Sequence, residues 1–315
     1  MFRRNKGKKT YLVNGFLESG KTEFIKYTVE QPYFKSKGTT LLILCEEGEN
    51  TYERSFLRRN KIVLEFIEKE EDFNLEKLTE LEKTHNPQRV LIEYNGMWSN
   101  KGIELPTQWI LEQQITTIDT TSFGMYYMNM KSMIGEMVKN SELVLFNRAD
   151  GIKDLTTYKR NIKMVNQAAE IVFEGTDAEI PAVLEEELPY DIHVDVLPIT
   201  EETYGIWFLD TLENTERYEG KKVEFIGQVM KKDSFPSDYF VPIRAMMTCC
   251  EDDVAMLGFV CQYEKISSFA NESWVKVEAV IKKEYWADYG DEGPVLYATS
   301  VIEAIPPKNK VIDFR

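Results

Sequence analysis

The stretch "YLVNGFLESGKTEF", Tyr11–Phe24, constrains the fold more than any other part of this chain. Lys9–Asn14 is a short apolar run that ends in glycine and reads as a strand feeding a turn. Thr22–Glu30 then reads as a helix. Between them, Gly15-Phe-Leu-Glu-Ser-Gly20-Lys21-Thr22 fits the pattern GxxxxGK[ST] without a gap. Such a loop curls successive backbone N–H groups around phosphate, and the helix behind it adds the positive end of its dipole. Lys21 is placed to reach the β- and γ-phosphates and the Thr22 hydroxyl to bind Mg²⁺. Glu18, a carboxylate in the middle of the cradle, is the anomaly. The cradle is built from backbone, and Gly15 and Gly20, which need special geometry, are intact. Nucleotide binding is therefore expected to survive, with Glu18 turned toward solvent, a following acidic segment or a second copy of the chain. Ser19 and Glu23 complete the set of loop and helix-start residues expected at the nucleotide.

The pattern downstream alternates. Apolar strands are expected at Thr39–Cys45, Lys61–Ile67, Arg89–Glu93, Ile115–Asp119 and Leu143–Phe146. Helices are expected at Asn74–Thr84, from about Tyr127 to Lys139, and at Leu155–Glu170. Such alternation gives a mostly parallel sheet with helices on both faces. Two strand ends carry chemistry. Arg89–Glu93 runs into Tyr94-Asn95-Gly96, which puts an acid beside the Mg²⁺ shell or a water and offers the Gly96 N–H to the γ-phosphate. Leu143–Phe146 runs into Asn147-Arg148-Ala149-Asp150, where the Asp150 carboxylate can accept from both guanine N–H groups, a pattern adenine lacks. Five methionines, Met125, Met128, Met130, Met133 and Met137, are expected to be packing residues or a partner-facing patch rather than metal ligands.

Over residues 9–175 these features resemble the CobW/UreG/HypB group of P-loop GTPases. The group's GFLGSGKTT loop stands here as GFLESGKTE, its ETxG as Glu93-Tyr-Asn-Gly96, and its NKxD as Asn147-Arg148-Ala149-Asp150, with arginine for the lysine. Its acidic switch segment is matched by Cys45-Glu-Glu-Gly-Glu49. The resemblance implies an α/β P-loop NTPase fold, GTP and Mg²⁺ as ligands, slow hydrolysis, and Glu47 or Glu49 working with Glu93 on Mg²⁺ and the attacking water. The group's CxCC metal motif has no counterpart, since no cysteine stands between Glu49 and Glu93.

From Glu174 the pattern breaks into an acidic, proline-containing stretch, so residues 176–199 are expected to be a linker after a basic leader (1–8) and the first domain (9–175). Residues 200–315 turn to β. Strands at Lys221–Val229, Phe240–Met247, Val254–Gln262, Trp274–Ile281 and Val295–Val301 suggest a small all-β barrel of OB type. Within it, Met247-Thr-Cys-Cys-Glu-Asp-Asp253 leaves two readings open. Cys249 and Cys250 are small buried residues, or one thiolate with Asp253 and its neighbours binds Zn²⁺. Arg244, Thr248, Cys249 and Cys250 give this half a resemblance to the C-terminal domain of YcgQ-type permease subunits.

The formal charge of −15 argues against broad nucleic-acid binding. The lack of a long apolar run or a signal-peptide core makes a cytoplasmic protein the expectation. The expected function is a GTPase linked to metal homeostasis or transport through its second domain. The competing expectation is a nucleotide-gated subunit of a membrane permease with little turnover. Expected partners are a second copy of the chain, a permease subunit or a metalloprotein client.

Overall fold

The computed structural model describes residues 7–48, 51–153, 155–176, 178–180, 188–247 and 254–312. The chain divides into two compact units, Met1–Leu184 and Glu185–Arg315.

In the first unit the strands are β1 (Lys8–Asn14), β2 (Thr40–Leu44), β3 (Ile62–Phe66), β4 (Arg89–Glu93), β5 (Trp109–Asp119), β6 (Leu143–Asn147), β7 (Glu170–Glu174) and β8 (Glu179–Ile180). They lie in the order β3-β2-β4-β1-β5-β6-β7-β8. The first seven in sequence are parallel, and β8 returns antiparallel to β7. The helices are α1 (Lys21–Glu30), α2 (Arg54–Arg59), α3 (Leu75–His85), α4 (Thr120–Val138) and α5 (Leu155–Val165). Successive strand residues face opposite sides of a sheet. Leu12 therefore enters a core with Leu78 and Leu81 of α3, while Val13 enters another with Ile25 and Val29 of α1. Both faces are covered, which is why β2 and β4 read as unbroken apolar runs. No helix among the described residues is long and apolar enough to cross a membrane.

Three elements depart from the sequence expectation. The helix expected over 155–170 stops at Val165. Asn166 then turns the chain, donating through Nδ2 to Val138 O and Ser141 O at 2.8 Å each, and Glu170–Glu174 becomes β7 beside β6. The short run EIVFE carries no period that separates it from a helix end; pairing decides it. β5 begins six residues before the expected Ile115, its largely exposed first half held by pairing with β1. α4 starts at Thr120 rather than near Tyr127, because Asp119 caps it by accepting from Thr121 N at 2.9 Å. α4 is also kinked at Met130, with Met137 buried and Met125 and Met128 exposed.

The second unit holds β9 (Val196–Pro198), α6 (Tyr204–Glu213), α7 (Thr215–Tyr218), β10 (Lys222–Met230), β11 (Tyr239–Met247), β12 (Val254–Leu257), β13 (Val260–Gln262), β14 (Trp274–Trp286), β15 (Asp291–Glu303) and β16 (Val311–Ile312). Five of its strands close a ring, β10-β11-β13-β15-β14 and back to β10, with β13 and β15 parallel. The unit is not all-β as expected. α6 is buried along most of its length and sets Trp207 against Phe225 and Phe259, with ring centroids 5.1 and 5.5 Å apart. The stretch expected to be a linker, 176–199, lends β8 to the first sheet and β9 to the second.

Trp207 is fully buried, so Trp207→Ala should cost about 3–5 kcal/mol. Urea unfolding followed by circular dichroism should show the loss; an unchanged midpoint would mean α6 is not part of the barrel's core.

Candidate functional site

β1 lies between β4 and β5, where the strand order reverses, and this is the place where an open parallel sheet binds ligands. The register brings Val13 opposite Glu93, Asn14 opposite Thr116, and Asp119 opposite Asn147. Thus the loop after β1, the acid ending β4 and the Asn of β6 open on one edge.

Gly15 (φ 146°) and Gly20 (φ 94°) hold backbone conformations closed to other residues without strain. A Cβ on Gly15 would stand 2.4 Å from Thr117 O, and one on Gly20 would stand 2.3 Å from Asn147 Nδ2. Gly96 packs directly on the loop, where a Cβ would meet Gly15 O at 2.3 Å. Gly20 caps α1 without a side-chain hydrogen bond, so the first-turn N–H groups face the loop. These are the features a phosphate-binding loop requires.

Lys21 is buried. Its ammonium donates to Gly15 O and Phe16 O at 2.8 Å each and pairs with the Glu46 carboxylate. The Thr22 hydroxyl donates to Glu93 Oε1 at 2.7 Å, and the Tyr52 hydroxyl donates to Glu93 Oε2. Burial pushes the Glu93 carboxyl above the usual range, while the two hydroxyls pull it back. One hydroxyl and one carboxylate are the oxygen donors that suit Mg²⁺, which takes few protein ligands and keeps several waters.

A cavity of 630 Å³ opens beside the loop, lined by Gly20, Glu23, Tyr27, Asn147, Arg148 and Asp150 among others. Asn147 Nδ2 donates to Ser19 O at 2.6 Å, while its buried Oδ1 has no hydrogen-bond partner. Asp150 Oδ2 accepts from Thr176 N and Oγ1, both at 2.7 Å, and these bonds hold its carboxyl below the usual range. Arg148 does not lie free to cover a base. Its guanidinium donates to Glu18 O at 3.1 Å and Asp119 Oδ2 at 2.5 Å. Ser19 is buried, its hydroxyl 2.8 Å from that of Thr117.

Glu18 sits at φ 59° and aims its carboxylate at the switch segment, where a Cβ on Gly48 would be 2.7 Å from Oε1. This segment brings Glu46 to Lys21, while Glu47, expected to work on Mg²⁺ and the attacking water, is exposed. Cys45, just after β2, is buried, Glu46 is half-buried and Glu47 is exposed. Glu49, Cys249, Cys250 and Asp253 lie outside the described residues. Among the described residues no group of three or more His, Cys, Asp or Glu is placed to hold a metal. Sequence reasoning missed Tyr52, Asp119 and Thr176. Their partners in the site, Glu93, Arg148 and Asp150, are distant in the chain, and no local spacing marks them.

A glycine-cradled loop at a switch point, a lysine within it and a hydroxyl–carboxylate pair define a P-loop nucleotide-binding domain. Residues 9–173, over half the chain, match the CobW/HypB/UreG nucleotide-binding domain, and the chain belongs to that family of P-loop GTPases. Residues 176–312 match the DUF1980 C-terminal domain, the family to which the YcgQ-type resemblance points. Among solved structures, the hydrogenase maturation factor HypB from Archaeoglobus fulgidus is 18% identical, with a TM-score of 0.40 over 54% of this chain and 83% of that one. The Zn(II)-bound YjiA GTPase from E. coli is 17% identical, with a TM-score of 0.41 over 52% and 57%. HypB from Helicobacter pylori in complex with nickel is 14% identical, with a TM-score of 0.38 over 54% and 80%. No curated protein sequence matches the chain.

Glu18→Gly removes a negative charge from the phosphate pocket and a side chain from a left-handed backbone position. Affinity for mant-GTP should rise about fivefold, the equivalent of about 1 kcal/mol of partly screened repulsion. Equal affinities in a fluorescence titration would place the carboxylate outside the phosphate's field.

Proposed function

We propose that this protein binds GTP with Mg²⁺ and hydrolyses it slowly, and that its second unit couples this cycle to metal homeostasis. One observation carries the nucleotide reading: Gly20 and Glu23 line both the pocket around Lys21, Thr22 and Glu93 and the cavity around Asn147 and Asp150. A phosphate cradle and a base-sized cavity therefore share a wall, as a nucleoside triphosphate demands. Lys21 would neutralise the β- and γ-phosphates once Glu46 yields it. Thr22 would hold Mg²⁺, and Glu93 would accept from its shell. Mg²⁺ supplies charge neutralisation between the phosphates. Asp150, kept ionised by Thr176, is an acceptor suited to the two N–H groups of guanine, and Asn147 ties that reader to the cradle.

The link to metals rests on family membership and on relatives described with zinc or nickel. We read the second unit as an OB-type barrel. This is supported by its five-strand ring and the parallel closure between β13 and β15. The acidic composition speaks against nucleic acid as its ligand.

Lys21→Ala should abolish steady-state phosphate release from GTP and weaken mant-GTP binding. Turnover at the wild-type rate would sink the reading. Asp150→Asn presents a donor where guanine also donates, so GTP affinity should fall about 10–100-fold, the worth of a charged hydrogen bond, with ATP affinity unmoved. A parallel fall for both nucleotides would show that Asp150 does not read the base.

A further inference from the structure

Tyr52 belongs to none of the motifs, yet it is buried to 8% exposure at the centre of the site. It lies two residues before α2, on the segment that also supplies Glu46. Its ring centroid is 6.0 Å from that of Phe56 on α2, and Lys26 of α1 places its ammonium 5.6 Å from the ring. A buried phenol must place its hydroxyl on an acceptor. Here the acceptor is Glu93 Oε2, the one carboxylate oxygen that Thr22 leaves over. The carboxylate is thus held at both ends, by Thr22 from the loop and by Tyr52 from the segment before α2. With only the Thr22 bond, the carboxylate plane would be free to turn about that contact.

We propose that Tyr52 is a positioning residue: it fixes the plane of the Glu93 carboxylate against Thr22 and thereby links that pair to α2. The proposal rests on the GTPase reading. Tyr52 touches neither phosphate nor Mg²⁺ in this role. It sets where Glu93 can accept a hydrogen bond, and a shift in the phosphate pocket reaches α2 through its ring.

Tyr52→Phe keeps the ring on Phe56 and under Lys26 and removes only the hydroxyl. The expected result is a kcat for GTP lowered about tenfold to a hundredfold, the scale of a misplaced catalytic group, with the Kd for mant-GTP within about twofold of wild type. Glu93→Gln provides the second variant. If Tyr52 acts through Glu93, the double variant Tyr52→Phe/Glu93→Gln should be no slower than Glu93→Gln alone. Limited trypsin digestion gives a readout apart from turnover. Mg²⁺ with GTP should change the cleavage rate after Arg54, Arg58 and Arg59 of α2 in wild type, and this dependence should vanish in Tyr52→Phe. A Phe variant matching wild type in kcat and in nucleotide-dependent cleavage would reduce Tyr52 to packing, as would additive losses in the double variant. Failure of the wild type to bind mant-GTP is a different outcome: it overturns the GTPase reading and this inference with it.

Discussion

The site depends on how closely β1 can approach β4. Their parallel register sets Val13 beside Glu93, and the two chains leave the sheet together as Gly15 and Gly96, backbone against backbone. A side chain at Gly96 would push the loop away from the acid, and one at Gly15 would collide with Ser19 and with Thr117 of β5. The Thr22–Glu93 bond exists because that approach is allowed. β5 on the other flank completes the frame: Thr117 braces Ser19 from below, and Asp119 at the strand's end both caps α4 and receives Arg148. Two neighbours of one central strand thus position the cradle, the acid and Arg148 at the end of β6.

The buried charged groups of this pocket find their partners within the chain. A buried ammonium is tolerable only with acceptors around it, and Lys21 has two carbonyls and Glu46. Glu93 is similarly costly and is held by two hydroxyls. The partners on the acidic side come from the segment between β2 and α2, which donates Glu46 to Lys21 and Tyr52 to Glu93. A triphosphate at Lys21, as proposed, would compete with Glu46 for the same ammonium, and would so link nucleotide affinity to the position of Glu46.

What the sequence revealed follows the range of the interactions involved. β1, β2, β4 and β6 were legible because strands covered on both faces must be apolar throughout. The loop was legible because its function is carried by backbone geometry, which glycine spacing encodes. β7 and α6 were not, since a five-residue run and a buried helix in a β-rich half reveal themselves only through what they pack on. Within the site, Gly15, Gly20, Lys21, Thr22, Glu93 and Asn147 are brought together where local motifs indicated. The Glu46–Lys21 pair depended on which way the chain turns after Cys45, and the Tyr52 contact on a residue 41 positions away. Neither is written in any spacing.

Glu18 and Arg148, the two departures from the family's loop and base-reading pattern, meet each other. Both adopt left-handed backbone, φ 59° and 54°, and the Arg148 guanidinium donates to the Glu18 carbonyl while pairing with Asp119. Both bonds come from one guanidinium nitrogen, Nη1, which holds the loop's carbonyl and the Asp119 carboxylate at once. The arginine therefore secures the cradle at the very residue where the family's glycine has been lost. A loop stiffened by a non-glycine residue needs its left-handed turn held from outside, and Arg148 supplies that hold from the strand that also carries Asn147. In this chain the end of β6 and the glycine-cradled loop are fastened at two points, Asn147 on Ser19 and Arg148 on Glu18, which ties the position of one to the other.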